Sequence, residues 1–159
     1  MRSFTLPALA VILSASPALA GKEEFLGQWI VTEALVAPWQ DPANPASNAV
    51  EAAYVGKTIT IGESTIEGPE RLGCGKTEFI AASIPFAGMF EGGLASDPAE
   101  PGGAPSLERA QANAAALGYK SEPVSSLATG CSEVLLYLRD QDTIEFGLDN
   151  RIFVMKRKP

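Results

Sequence analysis

Few side chains in this 159-residue chain have the types and spacing for chemistry. Histidine is absent, which removes the commonest general base and the commonest zinc ligand and excludes a serine triad built on histidine. Serine has no other evident activator, since neither a Gly-x-Ser-x-Gly elbow nor a Ser-x-x-Lys motif occurs. Gly73-Cys74-Gly75-Lys76-Thr77 resembles the end of a phosphate-binding loop, but Glu70 stands where the first glycine of that loop is needed. Asp140, Asp142 and Asp149 are oxygen donors for a cation in principle. A calcium loop would continue with more donors, a central glycine and a late glutamate, whereas here a β-type run starts at Thr143, so these aspartates read as turn residues. Cleaving a glycoside needs two carboxylates opposed across a cleft, and nothing in the spacing of these acids supplies that. The expectation is a protein without catalytic residues, metal or cofactor, and not an enzyme.

Cys74 and Cys131 are the remaining reactive groups. Their significance depends on compartment, and Met1 to Ala20 reads as a cleavable secretory signal: Arg2 is the charged start, Phe4 to Leu13 the apolar core, and Ala18-Leu19-Ala20 the small-x-small cleavage pattern. The apolar run is shorter than the roughly 18 residues that span a bilayer, so no membrane anchor is expected. Cleavage would start the mature chain at Gly21 and deliver it to the periplasm or the medium, where two cysteines pair. With no Cys-x-x-Cys present, the pair Cys74–Cys131 is expected to be a structural disulfide rather than a redox site. The formal charge is −7, and the signal segment carries one arginine and no acid, so the mature chain would carry −8. The only basic run is Lys156-Arg157-Lys158, which disfavours nucleic acid as a partner.

Residues 21–159 are expected to form a single domain made mainly of strands. Gln28 to Val36 is rich in apolar and β-branched residues and stops at Pro38. A loop from Trp39 to Asn48 follows, then a short helical turn over Val50 to Tyr54. Lys57 to Ile61 alternates so that Ile59 and Ile61 share a core face, and Ser64 to Glu67 extends or pairs with it before a turn at Gly68-Pro69. Lys76 to Ile84 is a further strand. Met89 to Leu94 is ambiguous, and Asp97 to Pro105 is a Pro/Gly linker. Ser106 stands as an N-cap for one amphipathic helix with Leu107, Ala110, Ala114 and Leu117 on one face, ended by Gly118. The rest reads as a β-meander: Val134 to Arg139, Thr143 to Leu148 and Arg151 to Lys156. In its middle strand Ile144, Phe146 and Leu148 face one way and Thr143, Glu145 and Gly147 the other. These elements predict a small antiparallel β-barrel or strongly curved sheet, with one helix before the final meander.

Aromatic residues fill a small barrel or line a ligand space in it. Trp39, Phe86 and Phe90, in or beside loops, are the candidate ligand-binding side chains.

Gly27-Gln28-Trp29, at the head of the first strand, resembles the Gly-x-Trp motif of lipocalin-like barrels. The resemblance implies that Gly27 and Trp29 are structural, with the indole closing one barrel end beneath a basic side chain near the last strand, Arg151 or Arg157. It also implies binding of a small apolar or amphipathic molecule. The helix position departs from that family, whose main helix follows the barrel. A different function is compatible with the same acidity and export: a periplasmic module that binds an envelope protein, as an inhibitor does, through loops such as Ala37 to Asn48 or Phe86 to Gly93.

Overall fold

The computed structural model describes residues 21–40, 48–96 and 104–159. The expected signal segment, most of the loop after Gln40 and most of the Pro/Gly linker lie outside the described residues. Eight antiparallel strands form a strongly curved half-barrel sheet, in the order β3-β2-β1-β8-β7-β6-β5-β4. They are β1 (Gly27–Val36), β2 (Thr58–Ile61), β3 (Ile66–Glu67), β4 (Ile80–Ile84), β5 (Val124–Ala128), β6 (Leu135–Asp140), β7 (Thr143–Leu148) and β8 (Arg151–Arg157). Helix α1 (Asn48–Tyr54) precedes β2, α2 (Phe86–Met89) follows β4, and α3 (Leu107–Ala116) precedes β5.

The final three strands form the expected meander. The β7–β8 hairpin turns on Asp149 (φ 49°) and Asn150 (φ 59°). A type I′ two-residue hairpin turn requires this left-handed pair, and Asp and Asn tolerate it. Asp149 also pairs with Arg71, and Asp140 accepts from the Asp142 amide at 3.0 Å, so these acids serve as turn residues.

Two expectations need correction. The strand predicted from Lys76 shrinks to Ile80–Ile84, because residues 74–77 bridge the seam between the sheet's ends. The Thr77 amide donates to Ser64 O at 2.9 Å and the Thr77 hydroxyl to Thr129 O. Strand β5 went unpredicted, since Ser125-Ser126 interrupts its apolar pattern; it pairs with both β4 and β6. Cys74, bridged to Ile66 beside β3, is disulfide-bonded to Cys131 in the turn after β5, with 6.1 Å between their Cα atoms. That separation falls in the usual disulfide range. The bond therefore staples the β3 end of the sheet toward β5.

Strand alternation divides the core in two. The inner face carries Trp29, Val31, Ile59, Ile61, Leu136, Ile144, Phe146 and Phe153, all buried. Its centre is filled by rings: Phe146 stacks on Phe153 at 5.1 Å, and Tyr54 packs against both, at 5.9 and 5.0 Å. At one end Trp29 donates from Nε1 to Phe25 O at 2.8 Å, and the Arg157 guanidinium lies 4.1 Å from the indole centre. Arg157 also donates to Leu26 O (2.9 Å) and Glu24 O (2.7 Å), which ties down the 3-10 turn at Lys22–Glu24. Gly27 has φ +123°, and a Cβ there would stand 3.3 Å from Arg157 Nη1. Both observations favour glycine in the Gly-x-Trp element. Arg151, the other basic residue expected near this indole, is instead at the opposite end of β8, 3.7 Å from the Glu51 carboxylate. β8 runs its full length between the two arginines, so only the C-terminal one reaches Trp29.

On the opposite face, Tyr137 of β6 pairs with Glu145 of β7, which pairs with Val154 of β8; Gly147 pairs with Ile152. Helices α2 and α3 cover this face through a second cluster that includes Phe86, Met89, Phe90, Ala110, Ala114, Leu117 and Tyr119. The Ser106 Oγ accepts from the Arg109 amide at 3.1 Å, as an N-cap does. Leu107, expected on the buried helical face, is 56 % exposed at the first position of α3, while Ala110 and Ala114 on the same face are buried.

Candidate functional site

A cavity of about 220 Å³ lies between this outer face and the helical layer. Its floor is the sheet: Leu135 and Tyr137 from β6, Glu145 and Gly147 from β7, and Ile152 from β8. Gly147 makes the space. Leu135 and Ile152 flank it on neighbouring strands, and the position between them has no side chain. The roof is Met89 and Phe90 at the end of α2, Leu94, and Leu117 and Tyr119 after α3; Trp39 and Glu133 complete the wall. A wider polar groove of about 590 Å³ shares Trp39, Leu94, Glu133 and Gly147 with it, and contains Arg71 and Arg151.

The roof is held by the end of α3. Gly118, at φ +87°, donates to Ala115 O and Tyr119 to Ala114 O, both at 3.0 Å. This is a Schellman cap, which needs a left-handed residue at the position of Gly118. It turns the chain so that Tyr119 returns over the sheet. Arg139 then joins roof to floor: its Nη1 donates to Leu117 O at 3.1 Å and to Glu145 Oε1 at 2.7 Å.

Glu145 is 2 % exposed. Burial pushes its carboxyl up to about 7, against the opposing pull of Arg139. One oxygen is held by Arg139, while Oε2 is buried with no hydrogen-bond partner, and so is the Tyr119 hydroxyl. Burial, the Glu145 charge and the approach of its carboxylate raise the Tyr119 phenol, so it stays neutral and able to donate, and the two groups face each other without a well-formed hydrogen bond. Buried polar atoms without partners are costly in a finished core, so a pair of them in a cavity marks a place where something polar can be received. Among the described residues no group of three or more His, Cys, Asp or Glu side chains is placed to hold a metal ion.

Of the residues singled out from sequence, Trp39 and Phe90 meet here, their ring centres 5.6 Å apart. Phe86 is not part of the cavity lining; it packs edge-on against Tyr119 at 6.5 Å and supports the roof. Glu145, Tyr119, Tyr137 and Leu117 were not singled out as site residues. The signal for Glu145 was its alternation with Ile144 and Phe146, which fixed its face but not that helices bury that face.

Compared with protein-family models, curated proteins and solved structures, the chain has no significant match. The functional argument therefore rests on geometry and chemistry. No helix among the described residues is long and apolar enough to cross a membrane.

Proposed function

We propose that this chain is an exported, lipocalin-like binding protein that holds a small amphipathic molecule against the outer face of its sheet. One observation carries the reading: an apolar cavity, walled by Trp39 and Phe90, ends on a buried carboxylate oxygen with no partner of its own. Recognition sites of this kind combine an apolar body with a few fixed polar groups. The lipocalin resemblance implied a ligand inside the barrel. That space is occupied by Trp29, Tyr54, Phe146 and Phe153, so the ligand is assigned to the other side of the sheet. Export to the periplasm or medium is supported by the N-terminal signal pattern and by the Cys74–Cys131 bond.

Ligand-observed NMR with propylbenzene tests the reading. A Cβ at Gly147 would meet only Ile152 Cδ1, at 3.6 Å, so the fold accepts a side chain there while the cavity loses its volume. Saturation transfer to propylbenzene is expected in the wild-type protein and not in Gly147→Leu with an unchanged melting temperature. Equal transfer in both proteins, or none in either, contradicts the proposal.

A further inference from the structure

We infer that the occupant of this cavity is a cationic amine carried on a single aromatic ring, recognised through a charge-assisted hydrogen bond to Glu145 Oε2. The inference rests on the binding function proposed above and names its ligand class.

Size sets the body of the ligand. An apolar cavity of about 150 Å³ accepts benzene, and at about 220 Å³ this one takes one ring with a short arm. Trp39, Phe90 and Tyr137 are part of the wall and suit both an aromatic body and a cation near it.

Charge sets the head group. Apart from tyrosines, the ionisable side chains lining the cavity are Glu133 and Glu145, both acids. Arg139 lies behind Glu145 and spends Nη1 on Oε1 and on Leu117 O, so it steadies one carboxylate oxygen and leaves the other. An anion would meet acids and no lining cation. A hydrocarbon would leave Oε2 and the Tyr119 hydroxyl with nothing but their poorly aligned approach to each other. An ammonium group satisfies the carboxylate, and an N–H donor paired with an ionised acceptor is among the stronger hydrogen bonds.

The charged state of Glu145 makes the recognition pH-dependent. The groups acting on it from its surroundings are Arg139 on β6, Tyr119 after α3 and Glu33 on β1; Tyr137 of β6 is its cross-strand neighbour and in turn feels Glu91 after α2. Glu133 stands in the cavity wall. The tyrosines stay neutral near pH 7, because burial raises both phenols. Glu145, at about 7, changes charge across neutrality.

The test compares three ligands sharing one ring, 2-phenylethylamine, propylbenzene and phenylacetate, by NMR titration at pH 8 and pH 5.5. The amine is expected to bind at least about tenfold more tightly than propylbenzene at pH 8, the ratio expected of about 1.4 kcal/mol, and less than about threefold more tightly at pH 5.5. Glu145→Gln keeps an oxygen for Arg139 and is expected to fold; in it the preference for the amine disappears at both pH values. If propylbenzene or phenylacetate equals the amine at pH 8, or if the preference survives in Glu145→Gln, the ligand class is overturned while the binding function stands. If none of the three binds, both are overturned.

Discussion

Trp29 and Arg157 explain why a tripeptide at the head of the first strand was informative. The indole is fully buried, its N–H is spent on Phe25 O, and the guanidinium above it also holds three backbone carbonyls, those of Glu24, Leu26 and Gln141. Trp29→Ala is expected to cost about 3 to 5 kcal/mol in chemical denaturation. A cost near zero would remove the structural role assigned to this contact. Glu145 makes the opposite kind of contribution. Its carboxyl sits at about 7 in the fold against an ordinary 4.5, so between those values the folded chain keeps a proton the unfolded chain has lost. Stability is therefore greatest below that window and falls as pH rises through it, by up to about 3 kcal/mol from this one group. Denaturation at pH 5 and pH 8 is expected to show the wild type losing stability relative to Glu145→Gln, and parallel pH profiles would contradict the assignment. The two residues also differ in how plainly the sequence announces them. Tryptophan after glycine at a strand start is conspicuous, whereas a glutamate alternating with Ile144 and Phe146 looks like any solvent-facing strand residue. Only the helical layer above it reveals the burial.

Among the elements, α3 has most to do with the site. Its start and stop were legible because Ser106 and Gly118 are chemically specific for a cap and a left-handed exit. Its role was not, since sequence does not say which sheet face a helix covers. Ser106→Ala is expected to cost about 1 kcal/mol without altering ligand affinity, because Ser106 is not part of the cavity lining. Gly118→Ala is expected to affect both. Alanine is strained at φ +87°, and its Cβ would stand 3.5 Å from Arg139 Cδ and Nη1, the side chain that joins Leu117 to Glu145. Thermal melts paired with 2-phenylethylamine titrations separate the two cases; equal affinity loss in both variants would show that α3 acts through stability alone. The elements misread from sequence share a cause. The serines of β5 hide a strand that is recognisable only through its two partners, and residues 76–79 carry strand-like composition although Thr77 among them bonds across the sheet's seam instead.

At the scale of the whole molecule, the curved sheet has two ends that do not pair with each other among the described residues, and the Cys74–Cys131 bond fastens one toward the other. It closes a loop of 57 residues, for which the chain-entropy model gives about 4 kcal/mol. Reduction is expected to lower the denaturation midpoint accordingly, with equal midpoints in oxidised and reduced protein counting against a structural role. The bond was readable in advance because two cysteines in a chain that opens on a secretory signal pattern have few alternatives. The position of the ligand cavity was not, because a barrel suggests its interior, and here the interior rings complete the core while the helices make the cavity on the other side. Intermolecular nuclear Overhauser effects between propylbenzene and isotope-labelled protein locate the ligand directly. Contacts to Trp39, Leu117, Tyr137 and Ile152 are the expected result, and contacts to Trp29, Tyr54 or Phe153 would place the ligand on the inner face and contradict the account.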